Sequence, residues 1–229
     1  MADANNNRIL QYEPPFATNM NASLVLGQPN FTTNTLPNPP TQNGFYPSGI
    51  AFDVSGDLWV TDGGNMRVLE FKPPFADGMA ASLVIGQTDF VSSGSATTAS
   101  GLSFPDGVAF DSVGNLWIGD QANFRILQFK PPFANGMSAS LVLGQASFTT
   151  NTPPTPPTQN GFSSSGIAFD GSGNLYVPDY ANSRTLQFAP PFSSNQNASL
   201  VIGQANFTSG APATTATGQN WPIAVTLAP

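Results

Sequence analysis

A single sequence unit occurs four times along this chain, and this repeat limits the folds available to the chain more than any other feature. The copies read NRILQYEPPF, MRVLEFKPPF, FRILQFKPPF and SRTLQFAPPF. The two lysines of the chain, Lys72 and Lys130, share one position of the unit. All the arginines of the chain also share one position, 59, 58 and 59 residues apart: Arg8, Arg67, Arg125 and Arg184. A period of this length, built from short strands, favours the blades of a β-propeller over a helical solenoid.

Each unit contains four short apolar segments, which we interpret as β-strands. The first, GIAFD or GVAFD, is separated by a tight glycine-containing turn from the second, which is LWVTD, LWIGD or LYVPD. The third carries the arginine, with Leu69 and Phe71 expected on one face and Val68 and Glu70 on the other. The fourth, SLVLGQ or SLVIGQ, follows a Pro-Pro-Phe loop, in which proline removes a backbone donor and ends pairing. The predicted class is therefore all-β.

The order of these segments resembles that of a known repeat family. The pattern G-[IV]-A-F-D, followed by G-[ND]-L-[WY]-[VI]-x-D-x-x-N-x-R-[IV]-L-x-F, is similar to the NHL-repeat family of β-propellers. The resemblance covers essentially the whole chain, although the Pro-Pro-Phe loop and the long linkers make these units longer than a typical NHL repeat of about forty residues. It implies a single propeller domain or propeller fragment over residues 1–229, with four four-stranded blade equivalents.

The resemblance also implies that one Asp–Arg pair in each repeat stabilises a turn. A guanidinium fork is able to bind a carboxylate and backbone carbonyls at the same time. The alternative is a ring of arginines that binds a ligand. The residues concerned are Asp3, Asp62, Asp120 and Asp179, with Arg8, Arg67, Arg125 and Arg184.

The composition removes several classes of function. Charged residues make up 8% of the chain and the net charge is −7, so cations that could neutralise phosphates are scarce and we expect no nucleic-acid partner. Without histidine the chain lacks the commonest general base, and without cysteine it has no disulfide framework. We expect no membrane span, because no apolar run approaches about 18 to 20 residues. The N-terminal residues show no signal-peptide pattern.

The linkers between the repeats alternate between two kinds, so the larger unit is a two-blade pair of 117 residues. When Pro222 is aligned with Pro105, the two ends of the chain together lack five residues equivalent to VGNLW. We therefore predict an incomplete junction blade, with its first strand from the C-terminus and its two outer strands from the N-terminus. Because open strand edges recruit further strands, we expect either head-to-tail self-association or a longer parent protein. The closed ring would have four, eight or another number of blades.

Most of the thirteen acidic residues occupy repeat positions that end strands or cap turns. The exceptions are Asp57, Asp77, Asp89 and Asp106, which we interpret as sequence drift. The alternative is a calcium site, since calcium takes six to eight oxygen ligands and needs no histidine. In that case the chain would resemble the gluconolactonase-type propeller hydrolases, which use acidic and amide residues around a central ion. We predict no catalytic residue, no metal-binding residue and no cofactor, with calcium as the alternative.

The loops most suited to binding are those that join strands two to three and four to one, because both lie on one face of an up-and-down blade. The residues on this face that the scaffold does not dictate are Gly64, Ala122, Tyr180 and Trp221, and we predict that they form the binding face. The alternative for Trp221 is that it only replaces Phe104 in packing.

These observations favour a non-enzymatic binding or assembly module that acts outside the cell or at the cell surface. The role is non-enzymatic because no catalytic constellation remains once the repeat positions are set aside, and the ligand is expected to be a protein or a carbohydrate. The alternative is a calcium-dependent hydrolase or lactonase. Four glycosylation sequons, at Asn21, Asn30, Asn197 and Asn206, fit an extracellular protein, although duplication alone explains their equivalent repeat positions.

Overall fold

The computed structural model describes residues 1–227, in which the chain folds into four antiparallel β-sheets that follow one another as propeller blades. The predicted all-β class is confirmed. In each repeat a one-turn 3-10 helix separates the second and third strands, beginning at Ala4, Gly63, Gln121 and Tyr180. The strands are β1 (Ala2–Asp3), β2 (Arg8–Gln11), β3 (Leu24–Leu26), β4 (Pro47–Phe52), β5 (Leu58–Asp62), β6 (Arg67–Phe71), β7 (Leu83–Ile85), β8 (Pro105–Phe110), β9 (Leu116–Asp120), β10 (Arg125–Phe129), β11 (Leu141–Leu143), β12 (Ala168–Phe169), β13 (Leu175–Asp179), β14 (Arg184–Phe188) and β15 (Leu200–Ile202).

The first blade is incomplete, as the sequence predicts, but the predicted origin of its strands is wrong within residues 1–227, because all three come from the N-terminal part of the chain. Its sheet has three strands, in the order β1-β2-β3, whereas the other three sheets each have four strands in sequential order. Residues 221–227 form no strand but run beside the first strand of the fourth blade, where the Ser165 hydroxyl donates to the Ile223 carbonyl at 2.7 Å. Ala228 and Pro229, the last residues of the predicted C-terminal strand, lie outside the described residues. Within residues 1–227 no strand pairing joins this segment to β1, so the sheets are not closed into a ring.

The third strands of the second and third blades, β6 and β10, are buried because a neighbouring blade covers each of their faces. In β6, Val68 packs against side chains of the third blade, whereas Leu69 and Phe71 pack against side chains of the first. Successive side chains of a strand point to opposite faces, so both kinds of contact come from one five-residue strand. The predicted division of Val68 from Leu69 and Phe71 is confirmed.

Aromatic rings join the second blade to the third and the third blade to the fourth. Trp59 of β5 packs edge-on against Phe110 and Phe133 of the third blade, with ring-centroid distances of 5.7 and 4.9 Å. Trp117 makes the equivalent contacts with the fourth blade at 5.6 and 4.8 Å. Such edge-to-face pairs stabilise by about 0.5–1.5 kcal/mol beyond the burial of apolar area. The phenylalanine of the Pro-Pro-Phe loop, which departs from the NHL pattern, therefore supplies part of the contact between blades.

Candidate functional site

An open cavity of about 600 Å³ is lined by β4, β8, the residues just before β12 and the C-terminal segment. Each repeat contributes a run of three residues from the same position of the unit. The four runs are Ser48–Ile50, Asp106–Val108, Ser165–Ile167 and Ile223–Val225. The first residue of the run is serine in two repeats, aspartate in one and isoleucine in one, so the polarity of this part of the cavity varies between repeats.

β-Bulges expose this variable position. In β4 and β8 the pairing with the second strand shifts between Pro47 and Ile50 and between Pro105 and Val108. A bulge leaves residues without a partner in the ladder and re-aims their side chains. Ser48 and Asp106, which lie inside the two bulges, both line the cavity.

The middle residue of each bulge is a glycine because the first strands of neighbouring blades approach closely. A Cβ atom on Gly107 would lie 3.1 Å from the Cα atom of Gly166. The Thr61 hydroxyl lies within hydrogen-bond distance of the Asp106 carbonyl at 3.0 Å, and the Gly49 N–H donates to the same hydroxyl at 2.5 Å. The backbone around Asp106 is therefore held by the neighbouring blade as well as by its own.

Asp106 is the one acidic side chain among the residues that line the cavity. Its carboxylate is partly buried and has no hydrogen-bond donor or cationic partner within residues 1–227. Burial raises the pKa of Asp106 from its ordinary value of 3.8 to about 6, because removal from water disfavours the charged form. The interpretation of Asp106 as sequence drift overlooked its partly buried position in the cavity.

The sequence did contain one signal for Asp106, since an acid there replaces the serine found at positions 48 and 165.

Two aromatic rings stand at the edge of the same cavity. The rings of Tyr180 and Trp221 are stacked, with a centroid distance of 5.7 Å and an interplanar angle of 23°. Trp221 is 67% exposed and Phe104 is 53% exposed, so neither ring fills the core. Both residues have a left-handed backbone, with φ values of 55° and 51°. Trp221 stacks on Tyr180, whereas Phe104 makes no such stacked pair in the described residues, so the two residues share a backbone geometry but not a partner.

The other predicted binding-face residues lie elsewhere on the 3-10 helices. Gly64 and Ala122 are the second residues of their helices and are exposed, but they do not line the cavity. The first residues of the second, third and fourth helices are Gly63, Gln121 and Tyr180, and two of these, Gln121 and Tyr180, do line it. The predicted binding face therefore combined the second residue of two helices with the first residue of another. It did not include Gln121, the first residue of its helix, which lines the cavity.

The Asp–Arg pairs lie at the junction of the 3-10 helix and the linkers. Arg67 donates through Nε to Asp62 at 2.8 Å and through its terminal nitrogens to the carbonyls of Phe90, Thr41 and Gly44. Arg125 and Arg184 make the equivalent contacts and are also buried. The pair of Arg8 and Asp3, 2.7 Å apart, is only partly buried. In the complete blades this geometry ties two linkers to one turn and leaves the guanidinium shielded from solvent.

Within residues 1–227, no three acidic, histidine or cysteine side chains come together in a way that could hold a metal ion. The described residues also contain no helix that is long and apolar enough to cross a membrane.

Three comparisons relate the chain to known proteins. The NHL repeat model matches residues 46–71, which span β4, β5 and β6. No curated protein matches the chain. A catalytically inactive virginiamycin B lyase from Staphylococcus aureus with quinupristin is 17% identical, with a TM-score of 0.42 over 69% of this chain and 45% of that one.

Two further solved structures have lower TM-scores. Selenomethionine-substituted virginiamycin B lyase from Staphylococcus aureus is 15% identical, with a TM-score of 0.35 over 64% of this chain and 42% of that one. A streptogramin B lyase is 13% identical, with a TM-score of 0.35 over 73% of this chain and 45% of that one. The chain thus spans less than half the length of these structures. The NHL match thus lies within the second blade, and the chain as a whole has an all-β fold of successive antiparallel sheets.

Proposed function

We propose that this chain is a non-enzymatic binding module whose ligand occupies the cavity lined by β4 and β8. The observation that carries the proposal is the cavity itself, which combines one unpartnered carboxylate with a stacked aromatic pair. Ligand sites are concave and present a few polar groups among apolar and aromatic surfaces. The hydroxyls of Ser48 and Ser165 and the amide of Gln121 provide further hydrogen-bonding groups in the same cavity.

The lining residues favour binding over catalysis. General acid–base catalysis needs titratable groups within reach of the reacting atoms, and nucleophilic serines need an adjacent base. Asp106 is the sole titratable lining group besides the Tyr180 hydroxyl, and the Ser165 hydroxyl already donates to the Ile223 carbonyl. A calcium-dependent hydrolase would need six to eight oxygen ligands around its ion, of which these residues provide one carboxylate.

Ligand-observed NMR on the purified chain tests the cavity as the binding site. A panel of neutral sugars, amines and carboxylic acids of cavity size is expected to include compounds whose signals broaden in the presence of the chain. A Ser48→Trp variant, in which an indole fills the cavity, is expected to abolish that broadening. Val54→Trp adds the same ring at an exposed turn away from the cavity and serves as the matched control. Binding that survives Ser48→Trp in a folded protein would overturn the proposal.

The proposal includes self-association as an assembly function and action outside the cytoplasm. Self-association is supported by apolar side chains that are buried in the inner blades and exposed at the two outer ones. Ile202 of β15 is 45% exposed, whereas its equivalents Ile85 and Leu143 are fully buried. In the first blade, Phe16 of the Pro-Pro-Phe loop is 74% exposed, whereas Phe133 packs against Trp59. Faces of this kind pair head to tail, each copy presenting a different surface to its neighbour.

A further inference from the structure

The carboxylate of Asp106 differs from every other acidic side chain in the described residues. Each of the other twelve accepts a hydrogen bond or lies within 4 Å of a lysine or arginine nitrogen. Asp106 has neither, although it is partly buried. Polar groups removed from water are normally hydrogen-bonded, so an unpartnered carboxylate in a cavity marks a place for a donor that the chain does not supply.

The charges around the cavity indicate what kind of donor fits. No lysine or arginine lines the cavity, so the charge of Asp106 is uncompensated there. The three buried arginines are committed to their own aspartates and to linker carbonyls, and Lys72 lies beside Asp57 and Glu70. An anionic ligand would be repelled by the carboxylate, and a neutral ligand would leave its charge unpaired.

The aromatic pair favours the same class of ligand. Indole and phenol rings attract cations through the negative potential of their faces, and the effect is largest for tryptophan. Tyr180 and Trp221 line the cavity that contains Asp106. A flat cation therefore finds a carboxylate and an aromatic surface in one cavity, and the hydroxyl of Ser48 is available as an additional acceptor.

We propose that the cavity recognises an organic cation, an amine or a guanidine group, through a charge-assisted pair with Asp106 and contact with the Tyr180–Trp221 stack. The inference rests on the proposed function, because it assigns a ligand class to the same cavity. The cation belongs to a small molecule or to a lysine or arginine side chain of a peptide, since both present the same group.

The protonation of Asp106 provides a second signature of this site. The pKa of Asp106 is raised to about 6, so its carboxylate is mostly charged at pH 7 and mostly protonated at pH 5. A cation that pairs with the carboxylate must displace the proton at the lower pH. Its affinity is therefore expected to fall by about tenfold from pH 7 to pH 5, while proton release accompanies binding.

The experiment uses benzamidine, benzamide and benzoate, which share a shape but carry a positive charge, no charge and a negative charge. Saturation-transfer NMR and calorimetry with the whole chain are expected to detect benzamidine, at least tenfold weaker binding of benzamide, and no binding of benzoate. Asp106→Ser, which installs the residue of two other repeats, is expected to reduce benzamidine to the level of benzamide. The matched control is Asp89→Asn, which removes one exposed acid outside the cavity and also installs a residue of other repeats.

The outcomes separate the ligand class from the site. Equal binding of benzamidine and benzamide that is abolished by Ser48→Trp would overturn the cation inference and leave the cavity as a binding site. Binding of benzamidine that survives Ser48→Trp would overturn both. Absence of binding by all three probes at about 10 mM, where a site with a Kd near 1 mM is mostly filled, would also overturn the inference. Full binding by Asp106→Ser would exclude the carboxylate as the recognising group.

Discussion

At the residue scale, the same types of side chain serve different purposes at repeated and singular positions. Asp62 and Asp120 accept N–H groups from a neighbouring arginine, an asparagine and the backbone, so their charges are balanced within the protein. Asp106 lacks such donors and stays without compensation. A carboxylate that destabilises the fold and makes no stabilising contact is a candidate functional group, because groups with shifted pKa values cluster at functional sites.

Replacing Asp106 by serine is expected to stabilise the protein above pH 6. The folded state holds the Asp106 proton up to about pH 6, whereas an unfolded aspartate releases it near 3.8. The folded state therefore binds more protons between these values, and its stability falls as the pH rises through them. Because the side chain is only partly buried, we discount the effect for solvent screening and expect a gain of about 1 kcal/mol at pH 8.

Urea unfolding of both proteins at pH 3.5 and pH 8 measures this difference. The two free energies of unfolding should agree at the lower pH and diverge at the higher one. A variant that is no more stable than the parent at pH 8 would show that the carboxylate has a partner.

The buried arginines are expected to be far more important for stability than the partly exposed one. Arg125→Ala removes the cationic partner of the buried Asp120 and leaves three linker carbonyls without their donor, which is expected to cost about 3–5 kcal/mol. Arg8→Ala is the control inside the chain, because the Arg8–Asp3 pair is partly solvated and is expected to cost about 1 kcal/mol. The urea midpoints of the two variants measure the loss of stability. Equal losses for Arg125→Ala and Arg8→Ala would contradict the structural role of the buried arginine.

At the element scale, the entry of the chain into each first strand depends on one repeat position. Proline occupies this position in three repeats, at Pro47, Pro105 and Pro222, whereas the fourth blade has Ser164. Pro47 pairs with Asp62 and Ser164 pairs with Asp179, so the backbone arrangement is the same in both blades. The Ser164 hydroxyl is buried and has no hydrogen-bond partner in the described residues.

Ser164→Pro is therefore expected to stabilise the fourth blade. Proline fits a position that holds proline elsewhere in the repeat, removes the unpaired hydroxyl and restricts the unfolded chain, for a gain of about 0.5–1 kcal/mol. Ser163→Pro is the control one residue earlier, because it removes the N–H that donates to Asp179 at 2.9 Å and is expected to cost about 1–3 kcal/mol. Thermal unfolding ranks the three proteins, and a lower midpoint for Ser164→Pro would contradict the argument.

At the scale of the whole molecule, the first and fourth blades differ from the second and third. Inner blades bury their apolar side chains against both neighbours, whereas the first and fourth blades each have one face without a neighbouring blade. The exposed side chains at those faces include Phe16 and Ile202. Exposed apolar surface of this kind favours association in solution.

We expect the mass of the chain in sedimentation velocity to rise with concentration between about 1 and 100 µM, a range that reports weak protein association. Ile202→Lys is expected to suppress the rise, because a charge on the contact face must be buried in the complex. Val54→Lys adds the same charge at an exposed turn and should leave the rise unchanged. A monomeric mass at every concentration would contradict self-association.

The sequence by itself determined the strands of the three complete blades, their order and the faces that they bury, but it also predicted a C-terminal strand that residues 221–227 do not form. The pattern of Val68, Leu69 and Phe71 predicts burial on both faces because side chains alternate along a strand, and this is a local rule. The Asp and Arg of each repeat were identifiable as a pair because their five-residue spacing recurs four times. Repetition makes such positions visible without knowledge of the tertiary structure.

The tertiary structure alone decided the character of the cavity. Asp106 acquires its raised pKa because neighbouring blades limit its access to water, and its flanking residues in the sequence do not predict that enclosure. Tyr180 and Trp221, which are 41 residues apart, stack because the turn of one blade meets the linker that follows it. Singular residues at variable positions carry no periodic signal. Their function depends on which distant strands approach them, so only the folded chain shows it.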